Sequence, residues 1–443
     1  NHIQQPIQNT SLTEIGLYRI NMDLLIFEGE ETRNFYPLTL TRPAFSLTLG
    51  TCTLLDQLIK MLKPKKYSLI VPNYLCRITS KKCKAEVNNP SIEDETTIIN
   101  GLVRINNSSI EDLLKKRRFV AFSGGRLVIA KLGLNDAREL LHNGKIDMKI
   151  LKDIQRRVEK LNLSEECLFS FPWELVVGNS DAILNQLFNI DNEDRNINSG
   201  IKIIGPRNKL FIEKDVRIEE GVIFDTRDGP IYISSFSEIQ AYSRISGPTY
   251  IGNTSLIKSA MIGSGTTIGD HVRVSGEIEN TIISNYSNKA HEGYLGHSYL
   301  GEWVNMGAYT TTSDLKNTYG TIKINLENSR INTGFIKVGS FFGDNSKTSI
   351  GTYVYPGTRI GISSHLHGHI LEDVPSFTIY AKSLGGRNSE IFIESAIETQ
   401  KRMMERRNME QIPEEVDMLR EIFKMTKDER STAGVLRNRF SFN

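Results

Sequence analysis

Two rhythms of apolar positions divide the chain. In the first, short apolar runs alternate with helical patterns. Leu24-Leu25-Ile26-Phe27, Leu69-Ile70-Val71 and Thr97-Ile98-Ile99-Asn100-Gly101 each end in turn chemistry. Between them, Leu54 to Leu62 and Ile110 to Leu114 carry apolar residues at helical spacing. Strands alternating with helices predict an α/β layer built on a parallel sheet. From about Ile203 the rhythm changes. Ile233, Ile239, Ile245, Ile251 and Ile257 fall six residues apart, and after one five-residue step Ile262, Ile268 and Val274 continue the beat. A six-residue period predicts a coil of short parallel strands, three hexads to a triangular turn, with one apolar residue of each hexad inward. A single turn cannot bury its own face, so successive turns stabilise one another. The beat is expected to break from Glu277 to Ser340 and to resume at Thr348, Val354 and Ile360. Breaks in such a solenoid are loops on one face, where function collects. A third texture begins near 387. Ser389 is placed to cap a helix with Ile393, Ile397 and Met404 on one face, and Pro413 to open a second with Val416, Leu419, Ile422 and Phe423. The expected divisions are 1–195, 196–384 and 385–443.

Composition adds limits. The 443 residues are 39% apolar and 24% charged, an ordinary globular balance in a chain long enough for several cores. A net charge of +2 offers no basic field for nucleic acid, and no polybasic run argues for a membrane surface. No run approaches the ~18 apolar residues of a membrane span. Asn1 to Thr10 are polar, unlike a secretory leader. Cys52, Cys76, Cys83 and Cys167 lack metal-type pairing and read as thiols of a reducing compartment, so a cytoplasmic protein is expected.

The densest polar cluster runs from Ser287 to Ala308. It sets His291 among Lys289, Tyr294, Asn305 and several glycines. Histidine suits a general base near neutral pH. Lysine holds phosphate as a point charge, and an asparagine amide can donate to a developing oxyanion. A lone loop histidine is, however, commonly structural. Asp270-His271 falls on the six-residue beat and reads as a coil corner. His365-Leu366-His367-Gly368-His369 has a metal-like spacing, with the three imidazoles expected on one face of a strand.

Lys289-Ala290-His291, Tyr294-Leu295-Gly296 and Val304-Asn305-Met306-Gly307-Ala308 resemble the acetyltransferase half of the bifunctional GlmU-type enzymes. A variant branch of that family is resembled more closely by the stretch from Gly276-Glu277 to Tyr319-Gly320, by Gly343-Asp344-Asn345-Ser346-Lys347-Thr348, by Pro172-Trp173-Glu174 and by the paired C-terminal helices. The resemblance implies a left-handed parallel β-helix behind an α/β, Rossmann-like nucleotidyltransferase domain. It implies that His291 deprotonates the amino group of glucosamine 1-phosphate as it attacks acetyl-CoA. Lys289 and Tyr294 would hold the sugar phosphate, Glu277 the sugar and Asn305 the acetyl carbonyl. Ala308, Ser346 and Ser364 match positions that contact the coenzyme, and the sites would form between subunits of a homotrimer. The family's Asn-Tyr pair is replaced by Asp314-Leu315, and its basic residues before the histidine are missing, with Arg273 the nearest candidate. Carbonic anhydrases on the same type of coil draw zinc ligands from separate turns and two subunits, unlike the run at His365.

Nucleotidyltransferases open with a strand and a glycine-rich loop, Gly-x-Gly-Thr-Arg, whose N–H groups cradle triphosphate. The matching place reads Phe27-Glu28-Gly29-Glu30-Glu31-Thr32-Arg33 and then Pro37-Leu38-Thr39-Leu40-Thr41-Arg42-Pro43. Thr32-Arg33 survives while a glycine is lost and glutamates enter. The resemblance therefore assigns nucleotide binding to Arg33 and Arg42, and proximity to Mg²⁺ to Asn100. The expected reaction is acetylation of glucosamine 1-phosphate, followed by coupling of the product to UTP, giving UDP-N-acetylglucosamine. Left open are nucleotidyl transfer alone with the coil as a trimerisation scaffold, a metal-dependent hydratase, and a non-catalytic scaffold.

Overall fold

The computed structural model describes residues 23–105, 108–142, 144–163, 166–188, 190, 199–326, 329–438 and 440. Asn1 to Thr10 and the expected boundary between 195 and 196 lie outside the described residues. The chain forms two compact units. One comprises residues up to 27, 55–70 and 85–168, and the other 28–54, 71–84 and 169 onward. The division therefore interleaves the first half of the chain rather than cutting it once.

The first unit is a seven-stranded sheet. In chain order its strands are β1 (Asp23–Phe27), β2 (Tyr67–Ile70), β3 (Glu86–Val87), β4 (Thr96–Asn100), β5 (Phe119–Ser123), β6 (Arg126–Leu132) and β7 (Glu159–Leu163). They lie side by side as β7-β5-β6-β4-β1-β2-β3. The three apolar runs read from the sequence are β1, β2 and β4, mutually parallel as expected. The sheet is mixed, not purely parallel, because β6 runs antiparallel to both β4 and β5. Helices α1 (Leu54–Leu62), α3 (Ser108–Lys115), α4 (Leu134–Leu140) and α5 (Met148–Ile154) accompany it, while α2 (Asn73–Lys82) belongs to the second unit. Leu25, Ile98, Val120 and Ala130 share its apolar core with Leu140, Leu151 and Ile154 of α4 and α5.

In the second unit the six-residue beat is a parallel β-helix. Ile233 pairs with Ile251, Ile251 with Ile268 and Ile268 with Ile283, so one face is an isoleucine column repeating every third hexad. Ile239, Ile257 and Val274 form the second face, and Ile245, Ile262 and Ile278 the third. Each of these side chains is 0–1% exposed. Helices cannot supply this column, since only strands at ~4.8 Å spacing stack equivalent residues directly.

The expected break from Glu277 to Ser340 is shorter than the sequence suggests. Pairing continues through Leu295 beside Ile278 and Leu300 beside Ile283. The beat was hidden because Lys289 fills the inward slot beside Val274, and Thr312 another beside Val354. The chain leaves the coil after Thr312, makes the hairpin Lys323–Leu326 with Ser329–Asn332, and returns with Phe342 paired to Leu300. Aromatic residues take coil corners in the left-handed backbone region: His271 at φ 57°, Tyr286 at 62° and Trp303 at 60°. Their rings stack in sequence, with centroids 4.8 and 4.4 Å apart. Stacking offsets some of the strain of that backbone conformation for bulky residues.

Helix α6 (Pro172–Leu187) packs on the coil, and the buried Asn179 amide explains how. Its oxygen accepts from Gly50 N at 2.7 Å while its nitrogen donates to Gly265 O and Thr267 Oγ1 at 2.9 Å. Three helices close the chain: α7 (Ile393–Glu405), α8 (Pro413–Met425) and α9 (Lys427–Thr432). Pro413 opens α8 as expected. Ser389 does not cap α7; it lies in a short strand pairing with Ile379, and the helix starts after Phe392. Among the described residues no helix is long and apolar enough to cross a membrane.

Candidate acetyl-transfer site

Outward residues of the second coil face form a column. Arg273 pairs with Asn288, Asn288 bridges to Asn305 and Asn305 to Lys347, which pairs with His365. Beside this column His291 lies exposed, near a cavity of about 500 Å³. His291, Asn305 and Ala308 line it together, so three of the sequence-predicted residues converge. Its cations are Lys258, Arg273 and Arg406, the last supplied by the end of α7. An imidazole, an amide donor and a cluster of cations facing one cleft can deprotonate an amine, steady an oxyanion and hold an anionic substrate.

The other predicted residues lie elsewhere. Lys289 occupies the coil interior at 2% exposure. Its Nζ donates to Ser275 O at 3.0 Å and to His291 O at 2.9 Å, and burial pushes its ammonium from 10.5 down to about 8. It braces the backbone at His291. Ser346 and Ser364 are fully buried, their hydroxyls donating to the carbonyls of Gly343 and Pro375. Glu277 and Tyr294 pair with each other on the third coil face.

The Tyr294 hydroxyl is shared between Asp314 at 2.8 Å and Glu279 at 3.3 Å, and burial followed by Asp314 drives its ionisation well above the phenol range. Asp314 also meets His297 Nδ1 at 2.6 Å. Burial pushes the Asp314 carboxyl up, but His297 and Tyr294 outweigh it and hold it below the usual range. Sequence reasoning missed this Tyr294–Asp314–His297 group. Its one signal was Asp314 standing where the family pattern has asparagine.

The three imidazoles at 365–369 do not share a face. The coil turns between Leu366 and His369, so His365 lies on the strand beside Lys347 and His369 on the strand beside Tyr353. Burial, then Lys347, pushes His365 down to about 4. No group of three or more His, Cys, Asp or Glu able to hold a metal gathers among the described residues.

The N-terminal candidates divide. Arg33 is exposed, on a short 3-10 helix, Glu30–Phe35. Arg42 does not stand open to solvent as a free phosphate ligand. It is ion-paired with Asp344 and, at 3.1 Å, with Glu302, while Thr41 Oγ1 donates to Asp344 at 2.7 Å. Asn100 ends β4 at 1% exposure, its amide nitrogen donating to Leu127 O and its oxygen accepting from Leu102 N. Burial pushes the Glu28 carboxyl up to about 8, so it is neutral at pH 7, and it accepts from Ala44 N. The Asn100 amide, with its nitrogen and its oxygen both committed to backbone groups, does not fit a magnesium ligand.

Residues 24–195 match the family described as sugar nucleotidyl transferase. A bifunctional sugar-1-phosphate nucleotidylyltransferase/acetyltransferase from Sulfurisphaera tokodaii is 27% identical over 197 residues, 44% of this chain and 43% of the relative. This chain is similar to the bifunctional GlmU-type proteins. The GlmU protein of Methanococcus aeolicus is 30% identical over 119 residues, 27% of this chain and 26% of that one. The matches thus span less than half the length of these relatives. Among solved structures, LpxA from Acinetobacter baumannii aligns at 14% identity with a TM-score of 0.23, covering 46% of this chain and 76% of that one. The coil assignment rests on the strand pairing above.

Proposed function

We propose that the chain transfers an acetyl group from acetyl-CoA to the amino nitrogen of glucosamine 1-phosphate at the His291 cavity. The convergence of His291, Asn305 and Ala308 on one cleft with three cations carries this reading. The neutral imidazole of His291 takes a proton from the amino nitrogen as that nitrogen attacks the thioester carbonyl. Asn305 donates to the oxygen as it gains charge. The C–S bond then breaks, and the proton on His291 passes to the departing thiolate. Lys289 acts through the backbone, fixing the carbonyl of His291 from inside the coil.

The proposal extends to a homotrimer. Glu277 and Tyr294 lie on a different face of the chain from Asn305, a split that a neighbouring copy would reunite. It also extends to a cytoplasmic setting and to a nucleotidyl step at the N-terminal region, with UTP, giving UDP-N-acetylglucosamine. That step is supported by the family match over 24–195 and by Arg33. The test is a panel of amino-sugar 1-phosphates with acetyl-CoA, with and without UTP and Mg²⁺, products identified by mass. An acetylated sugar phosphate is expected without UTP and a nucleotide sugar with it. Release of no CoA with any acceptor refutes the acetyl-transfer reading.

A further inference from the structure

On the outward side of the second coil face, Lys347 stands one rung from Asn305. The two bridge in parallel, with Asn305 N donating to Ser346 O and Thr348 N to Asn305 O, each at 3.0 Å. Equivalent outward side chains on neighbouring strands lie ~4.8 Å apart. Both residues line a second cavity of about 350 Å³, which shares Arg273, Asn288, Asn305 and Arg406 with the His291 cavity. The Asn305 side-chain oxygen accepts from Asn288 Nδ2 at 3.5 Å, and among the described residues its own Nδ2 has no partner. Lys347 Nζ donates only to the carbonyl of Asn345, at 2.8 Å, and among the described residues it has no carboxylate partner. No carboxylate lines the cavity. The charged and titratable groups around Lys347 are Arg273, Tyr286, Arg402, Arg406 and Arg407, with His365 on the next coil strand. An ammonium keeps its proton through water or an opposite charge, and Lys347 has little of either. Burial pushes it from 10.5 down to about 8. At pH 7 roughly a tenth of it is then the neutral, nucleophilic amine, against well under a thousandth for an ordinary lysine. Lys289, lowered to a similar value, is sealed inside the coil against two carbonyls and lines neither cavity.

We propose that Lys347 is a self-acetylation site: when no acceptor sugar occupies the cleft, its amine attacks the thioester of bound acetyl-CoA. The inference rests on the acetyl-transfer reading, which sets the acetyl carbonyl at Asn305. The Lys347 nitrogen forms a C–N bond with the carbonyl carbon while Asn305 donates to the oxygen as it gains charge. The C–S bond breaks, the proton lost by the nitrogen passes to the departing thiolate, and N-acetyllysine and CoA result. A desolvated lysine is already an activated nucleophile, so His291 takes no part. The amide formed removes a cation and adds an acetyl group to the wall beside Asn305. Sugar acetylation therefore falls as the modification accumulates.

The full chain is incubated with acetyl-CoA and no sugar, and acetylation of each lysine is followed by peptide mass spectrometry. At pH 7 Lys347 is expected to be acetylated at least about tenfold faster than the exposed Lys401, with its rate levelling off above about pH 8. Unfolding the chain in urea should abolish the preference. His291→Ala should leave labelling of Lys347 intact, and Asn305→Ala should slow it about tenfold or more. Labelling of Lys347 no faster than of Lys401, a preference that survives urea, loss of labelling in His291→Ala, or full labelling in Asn305→Ala overturns the proposal. Acetylation of a sugar phosphate without labelling of Lys347 overturns self-acetylation alone. Labelling of Lys347 without acetylation of any sugar supports it and refutes the sugar acceptor.

Discussion

Removing the Arg42 guanidinium is expected to destabilise the coil unit. Arg42 is 15% exposed, and its partners Glu302 and Asp344 are 21% and 7% exposed. Burial pushes the Glu302 carboxyl up, and the Arg42 cation with Lys82 more than offsets this, holding it ionised. Arg42→Ala would leave two largely buried carboxylates uncompensated, a change that costs ~3–5 kcal/mol when one partner of a buried pair is deleted. Residual solvent at Glu302 and the retained hydrogen bond from Thr41 to Asp344 place the expected loss near the lower end, about 3 kcal/mol. Asp344→Asn keeps an acceptor for Thr41 and Arg42 but turns an amide nitrogen toward the Glu302 N–H that Asp344 Oδ1 accepts, and should cost about 1–3 kcal/mol. The double variant should therefore fall short of the sum by about 1–2 kcal/mol, the coupling expected of residues in one network. Urea unfolding of the four proteins, followed by fluorescence of Trp173 and Trp303, measures each quantity. Unchanged stability in Arg42→Ala together with a selective loss of UTP affinity would refute the reasoning and return Arg42 to the nucleotide.

Lys289→Met should lower kcat for acetyl transfer about tenfold or more, since the His291 carbonyl loses its donor, with little change in KM for the sugar phosphate. In the parent chain the folded value of Lys289, about 8, lies below its ordinary 10.5. The unfolded state thus binds more protons between those values, and this group's contribution to stability is poorest below about pH 8 and improves toward pH 10.5. The methionine variant should lose that alkaline rise in denaturant titrations. Ile251→Ala removes a fully buried member of the isoleucine column and should cost roughly 2–5 kcal/mol in the same assay, against well under 1 kcal/mol for an exposed residue such as Met261→Ala. Asn100→Ala should destabilise the first unit by about 1–3 kcal/mol by leaving Leu102 N–H and Leu127 C=O unpaired. A change in magnesium dependence without loss of stability would contradict that role.

The coil was legible because its inward residues from Ile233 to Val274 repeat every six positions with a single five-residue step, from Ile257 to Ile262. It became illegible where Lys289 and Thr312 took inward slots, since a lysine at an apolar position reads as surface. The first sheet was legible as strands, but the antiparallel β6 was not, because direction depends on pairings remote in sequence. His291 lies one coil turn before Ala308, and Asn305 precedes Ala308 by three residues, so the three line one cleft. That Lys289, Ser346 and Ser364 are buried was not legible, because motif spacing does not tell which side chains the coil turns inward. Arg406 and Arg407 had no signal at all, since α7 brings them to the coil from about a hundred residues away.

The most direct test of the account is release of CoA from acetyl-CoA with glucosamine 1-phosphate, compared between the parent chain and His291→Ala. The expected result is rapid release by the parent and a loss of roughly 10²-fold or more in kcat for the variant, with its melting unchanged. Full release by His291→Ala would contradict the assignment of the base and of the cavity around it.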